Sequence, residues 1–483
     1  MWQDRDGYGR IKKTFECGGT GLKLNKYFGD RKFYALALSV AVPIMLQNGI
    51  TNFVSMLDNI MVGQMGTEPM SGVAVANQLL FVFNICVFGG VSGAGIFGAQ
   101  FFGNGNHKGL RGTLQFKLIL VAVLTALGTL VFTLWDEPLI SLDLHEGSDS
   151  GDIAATLQYG REYLSIMVIG LLPFVLVQSY ASTLRETGQT VLPMVAGITA
   201  VLVNLALNWV LIFGHLGFAA MGVKGAAIAT VISRFVELLI VVIWTHAHKE
   251  RNVFAQGLYT KPGLTLNVTK QIFVKGMPLM LNELLWSMGM AILNQCYSMR
   301  GLDAIAAVNI TSTISNVFGV VYMALGSSVG IIVGQKLGAG EMEEAKDMDN
   351  KLITFAVLSC LLVGTLLFLV APFFPQIYNT SDTVRGLASG LIRVSAVAMP
   401  MYSFANACYF TLRSGGKTWI TFLFDCGFVW IFAIPVAWAL SRLTGIPIVP
   451  MYAICQAIDL IKCLMGYIMV KQNKWIQNLV VEE

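Results

Sequence analysis

The sequence predicts an all-α membrane protein: twelve transmembrane helices in two six-helix lobes, related by a pseudo-two-fold axis along the membrane normal. Three observations predict it. The chain of 483 residues is 55% hydrophobic and only 12% charged, against roughly 25% charged residues in soluble domains. Its apolar residues fall in long runs, such as 118–135 and 352–372, and a helix of about 20 residues crosses the roughly 30 Å of bilayer hydrocarbon. Finally, residues recur in the same order in the two halves. The runs lack the alternation of a barrel strand, so the backbone can satisfy its polar groups in lipid only as helix.

In order, the first half predicts spans at 34–63, 70–100, 113–135, 158–183, 191–214 and 223–247. The second predicts them at 271–299, 304–333, 351–372, 386–412, 418–441 and 450–471. Residues 1–33 read as a cytoplasmic tail, 34–247 as the first lobe, 248–270 as a cytoplasmic linker and hinge around Pro262, 271–471 as the second lobe, and 472–483 as a second tail. No cleavable signal peptide is expected before the first run. Among the cysteines only Cys17 lies outside a span, and none shows metal or redox spacing, so they read as packing residues.

Basic residues sort by side. The N-terminal segment carries Arg10, Lys12, Lys13, Lys23, Lys26, Arg31 and Lys32, and the same side gains Lys108, Arg111, Lys117, Arg185, Lys249, Arg251, Lys336, Arg413, Lys417 and Lys471. The opposite side holds Arg161, Lys224, Arg300, Arg385 and Arg442, with an acidic stretch around Asp136, Glu137, Asp143, Glu146, Asp149 and Asp152. The positive-inside rule therefore predicts a multi-pass cell-membrane protein with both termini in the cytoplasm.

The repeat is explicit. Pro43 matches Pro278, an offset of 235 that also relates Asn59 to Asn294, Gly66 to Gly301, Gln100 to Gln335 and Gly103 to Gly338. Further on, Thr183-Leu184-Arg185 matches Thr411-Leu412-Arg413 at an offset of 228. Six spans return the chain to its starting side, so the halves share one topology, with a cavity expected between them.

These residues carry a family resemblance. Leu57-Asp58-Asn59-Ile60-Met61-Val62-Gly63, the Gly98–Gly105 and Gly334–Gly340 segments, Leu184-Arg185-Glu186-Thr187-Gly188-Gln189-Thr190 with its counterpart at 412–418, and Asn204…Leu207-Asn208-Trp209 resemble the multidrug and toxic compound extrusion (MATE) family. Lys474-Trp475 also fits. The resemblance runs over residues 34–476. It implies a secondary active antiporter that exports small organic cations, drugs or metabolites in exchange for Na+ or H+ by alternating access. It also implies that Asp58, Asn204, Asn208 and Thr230 form the cation-coupling site, with Na+ at Asp58 as the only metal ion.

A carboxylate within a span costs about 2.5–3.5 kcal/mol on insertion scales, so Asp58 should face a polar cavity. Glu283 is a second intramembrane acid, beside Asn282 and just after Pro278, and Gln47-Asn48 stand at the matching place after Pro43. Proline within a helix frees a carbonyl and favours a bend, which suits gating helices. Gln47, Asn48, Asn282, Glu283, Gln78, Asn309 and Tyr402 are the expected substrate and gating residues, with Asn77, Asn84, Gln295 and Asn316 as further polar candidates. Tyr402 stands where part of the family has an acid; Asp425 either compensates or is a structural acid. Arg234 with Glu237, and Asp459 with Lys462, are spaced by three and read as structural ion pairs.

The rival is a lipid-linked oligosaccharide flippase of the same superfamily, which would need a more cationic cavity. An enzyme is not expected, since no metal-ligand cluster, nucleophile constellation or phosphate loop appears. No cofactor and no nucleic acid are implied. The bilayer and small organic cations are the expected partners of a functional monomer.

Overall fold

The computed structural model describes residues 27–141, 153–261 and 263–480. The basic residues before position 27, Cys17, the acidic residues 143–152 and Pro262 lie outside the described residues. Among those described, twelve helices are long and apolar enough to cross a membrane, and no strand is present. They are α1 (Arg31–Gly63), α2 (Thr67–Gly103), α3 (His107–Leu134), α4 (Ile153–Glu186), α5 (Val191–Phe213), α6 (Val223–Ala247), α7 (Leu266–Ser298), α8 (Leu302–Gly338), α9 (Met342–Val370), α10 (Asp382–Ser414), α11 (Thr418–Leu443) and α12 (Ile448–Lys471).

Local chemistry sets their ends. Asp30, Asn106, Thr265 and Ser381 cap α1, α3, α7 and α10, each side chain accepting the backbone N–H three residues on. The turns entering α2 and α8 depend on Gly66 at φ 125° and Gly301 at φ 101°, a region that side chains disfavour. These glycines are repeat partners. Several helices outrun the apolar runs: α9 begins at Met342 and carries Glu343, Glu344, Lys346 and Asp347 before its apolar part. An apolar run marks the lipid, whereas the hydrogen-bonded ladder continues into water.

The packing follows the repeat. In the first half α2 packs on α3 and α4, α4 on α6, and α1 on α5. In the second, α8 packs on α9 and α10, α10 on α12, and α7 on α11. The halves also exchange helices, since α1 lies against α8 and α7 against α2, with α2 and α8 touching at the centre. Within lipid, helices associate through close packing of small residues. On α2, Gly89 abuts the backbone of Met280 and Gly93 that of Gly276 on α7, with no room for a Cβ.

α11 is not a plain α-helix: Leu423–Gly427 and Val429–Ala433 are π-helical turns. α12 is interrupted at Ile458. The linker, expected as a hinge, is anchored on the first half. Gln115 on α3 donates to the carbonyls of Leu258 and Lys261 and accepts from Gly263 N–H, and Arg111 donates to Gln256 O. These bonds tie the linker residues Gln256, Leu258, Lys261 and Gly263 to α3.

Candidate functional site

The helices enclose a central cavity of about 850 Å³ between the halves. Five carboxylates line it, Asp58, Glu237, Glu283, Asp425 and Asp459, with four cations, Arg185, Arg234, Arg413 and Lys462. Aromatic side chains, among them Trp286, Tyr322, Tyr402, Tyr409 and Phe410, complete the walls.

On the first-half wall α1, α5 and α6 bring together the four residues named from the resemblance. Asn208 and Asn204 lie one helical turn apart on α5, so both amides reach α1. Asn208 Nδ2 donates to Asp58 Oδ1 at 2.7 Å. Turned so that its nitrogen faces the carboxylate, Asn204 Nδ2 lies 3.0 Å from Asp58 Oδ2, and its oxygen lies 3.2 Å from the Thr230 hydroxyl of α6. Asn204 and Asn208 are buried, and Asn208 Oδ1 has no hydrogen-bond partner among the described residues. In this arrangement both amides give N–H groups to the carboxylate, and they would have to turn to offer their oxygens, with the Thr230 hydroxyl, to a small cation.

The second-half wall differs from expectation. Asp425 occupies a π-helical turn of α11, a distortion frequent at functional sites. It points into the cavity and accepts from Lys462 Nζ at 2.7 Å and from Asn282 Nδ2 at 3.0 Å. Lys462 therefore does not form the expected pair with Asp459. The π-turn brings a carboxylate from the neighbouring helix into direct reach of Lys462. Asn282 is fully buried behind this wall, its Oδ1 accepting Cys426 N–H, so it supports Asp425 and does not line the cavity. Glu283 lines the cavity and accepts from Tyr409 Oη at 3.4 Å. Tyr402 also lines it, its hydroxyl bonded to Gln456.

Other expectations divide. Gln47, Asn48 and Asn316 line the cavity. Gln78, Asn309 and Gln295 are exposed on other helix faces, and neither Asn77 nor Asn84 is among the lining residues. A one-residue step turns a helix by about 100°, so next to Asn309 it is Val308 that faces inward. Arg234 and Glu237 approach only to 4.0 Å, Arg234 lies over the Phe174 ring at 4.7 Å, and both line the cavity.

Three basic residues counted from the sequence only as charges marking the side of the chain termini lie inside. Lys117 is fully buried, 2.6 Å from Glu186 Oε1, with the hydroxyls of Ser182 and Thr183 at 3.1 and 3.0 Å. Arg185 and Arg413 line the cavity near the ends of α4 and α10. Their place in the repeated Thr-Leu-Arg triplet was the signal that could have singled them out.

The cavity is closed on the side where α1 begins and α12 ends. Gln335 Nε2 on α8 donates to Glu186 O on α4 at 2.7 Å, and Gln100 Nε2 on α2 donates to Ser414 O on α10 at 2.9 Å. The two glutamines are repeat partners, and each reaches into the other half. Gly103 packs on the backbone of Gln335, and Gly338 on that of Gln100. Beyond them the 475–480 segment forms a strap: Leu479 N–H donates to Gln100 Oε1 at 2.7 Å, Asn478 Nδ2 to Gly338 O at 3.1 Å, and Trp475 is buried.

The sequence pattern of one family matches twice, over residues 43–210 and again over 278–439, and that family is MatE. The chain belongs to the MatE family. It is a multi-pass membrane protein of this efflux-transporter family. Its MatE relatives include the probable multidrug resistance protein NorM of Thermotoga maritima, 24% identical over 84% of this chain and 85% of the relative. The FAD transporter of Shewanella oneidensis is 27% identical over 67% of this chain and 68% of its own length. Among solved structures, an outward-facing MATE family transporter of the MOP superfamily superposes with a TM-score of 0.80 at 19% identity, covering 95% of this chain and all of that one. That likeness establishes the MatE fold.

Proposed function

We propose that the protein is a secondary active antiporter that exports organic cations, drugs or metabolites in exchange for Na+ or H+, by alternating access between its two halves. The observation that carries the proposal is the convergence of Asp58, Asn204 and Thr230 at the cavity wall, with the buried Asn208 bonded to Asp58. The names of the relatives, drug-resistance proteins and an FAD transporter, support export of small organic molecules. The distribution of Lys and Arg supports a cell-membrane protein with cytoplasmic termini.

In this reading Asp58 is ionised while the site faces the ion-rich side. Na+ or H+ neutralises it, and the neutral wall then permits the change of access that releases the ion. A tenfold gradient supplies about 1.4 kcal/mol, and 100 mV about 2.3 kcal/mol per charge. Exchange of one ion for one monovalent cation moves no net charge, so a second coupling ion or a steeper gradient is needed for strong export. The flippase reading would need a predominantly cationic cavity, and here carboxylates match or exceed the basic groups.

The test uses proteoliposomes loaded with an organic-cation dye, with Na+ and pH gradients imposed separately. One gradient is expected to drive dye movement in the wild type, and Asp58→Asn to lower the driven rate at least about tenfold, one lost charge-assisted contact being about 1.5–3 kcal/mol. If neither gradient moves dye and the variant matches wild type, the coupling assignment is wrong and the flippase reading replaces it.

A further inference from the structure

Two arginines from equivalent turns of the repeat stand at the closed end of the cavity. Arg185 Nη2 donates to Gln47 Oε1 at 2.9 Å, and Arg413 Nη2 to the Ser92 carbonyl at 3.1 Å. Arg185 Nε and Arg413 Nη1 are buried with no hydrogen-bond partner among the described residues. A buried donor without an acceptor is costly, and native structures keep such groups where a ligand or function uses them.

Their placement says what would use them. Both arginines line the central cavity and also a second cavity of about 130 Å³ behind it, and Gln178, Ser327 and Phe410 are shared by both. The arginines thus stand at the neck joining the two. Facing Arg185 are Glu237 of α6 and Glu186, and the charge of Glu186 is already held by Lys117. Arg413 is faced by Glu283 of α7 and by Glu186. What sets the neck apart is that both of its arginines keep a nitrogen without an acceptor, whereas Asp58, Asp425 and Asp459 lie along the remaining walls. The Arg413 guanidinium also lies 5.3 Å from the Phe410 ring, forming a flat platform beside the free nitrogen. A planar guanidinium with a free donor is suited to a carboxylate or phosphate oxygen.

We propose that Arg185 and Arg413 form an oxyanion-recognising site at the cavity floor, and that the preferred substrates are amphoteric. The carboxylate or phosphate of such a molecule lies on the two arginines, and its ammonium end lies toward the acidic walls. This rests on the export reading above and narrows its substrate class.

A matched pair of dyes tests it: rhodamine 110, which carries a free carboxylate, and rhodamine 123, its methyl ester. In reconstituted full-length protein the wild type is expected to bind the acid more tightly than the ester. Arg185→Gln and Arg413→Gln should each reduce the acid-to-ester affinity ratio about tenfold, and Arg→Lys, which keeps the charge, less so. On the wild type itself, inorganic phosphate should displace the acid and leave the ester bound, a readout independent of whether any variant folds. A ratio unmoved by both Gln variants, or equal response of both dyes to phosphate, overturns the oxyanion site. Failure of the wild type to bind or move either dye would instead overturn the export reading.

Discussion

Lys117→Met is expected to destabilise the protein by about 3–5 kcal/mol, because it leaves one half of a buried ion pair without its partner. The lysine is fully buried and bridges α3 to the last turn of α4, touching Ser182, Thr183 and Glu186. Without it the Glu186 carboxylate would keep one hydrogen bond, from the Ser182 hydroxyl 2.5 Å from Oε1, with the Arg185 and Arg413 guanidiniums as unbonded neighbouring charges, and it is packed against Gly95 and Gly98 of α2. Those glycines leave no space for a compensating side chain. Thermal unfolding in detergent should show a clearly lowered midpoint for Lys117→Met. The double variant Lys117→Met with Glu186→Gln should recover most of the loss, since a neutral amide carries no uncompensated charge. A single variant that unfolds with the wild type would show that the pair contributes nothing to the fold.

The second large effect concerns access. Replacing both Gln100 and Gln335 by Ala removes the reciprocal bonds that hold α2 to α10 and α8 to α4. At about 0.5–1.5 kcal/mol for each net hydrogen bond, the pair should shift the closed-to-open ratio by about tenfold. A single cysteine at Ser327, on the cavity's inner wall, reports this in a background whose native cysteines are replaced. Labelling by an impermeant maleimide from the side of the chain termini should speed up about tenfold in the Gln100→Ala/Gln335→Ala protein. Unchanged labelling would mean that the glycine contacts and the Asn478 bond to Gly338 close this end without the glutamines.

The twelve helices were legible because each must bury its backbone in lipid and therefore announces itself as an apolar run. The gathering of Asp58, Asn204, Asn208 and Thr230 was legible because resemblance supplied the residues and helical spacing put Asn204 and Asn208 on one face. The facing of isolated polar residues was harder to read. Helices such as α2 and α8 are apolar almost all round, so nothing in their sequence says which side meets the cavity, and Gln78 and Asn309 were assigned inward against the observed rotation. Lys117, Arg185 and Arg413 were counted only as charges marking the side of the chain termini, because each lies near the edge of an apolar run. The helices continue past those edges, and the closed end of the molecule buries the extra turns. The bond from Lys462 to Asp425 depends on a π-turn, which no residue spacing forecasts.

The exchange of helices between the halves also sets a timetable for biosynthesis. The Gly89 and Gly93 stripe on α2 is completed by Met280 and Gly276 on α7, which are made almost two hundred residues later. At roughly 5–20 residues per second, α2 waits about 10–40 s for its partner. Through that interval a groove of bare backbone is open to lipid or to whatever insertion factor shields it. The first six helices therefore cannot finish folding on their own, and their final packing must follow synthesis of the second half.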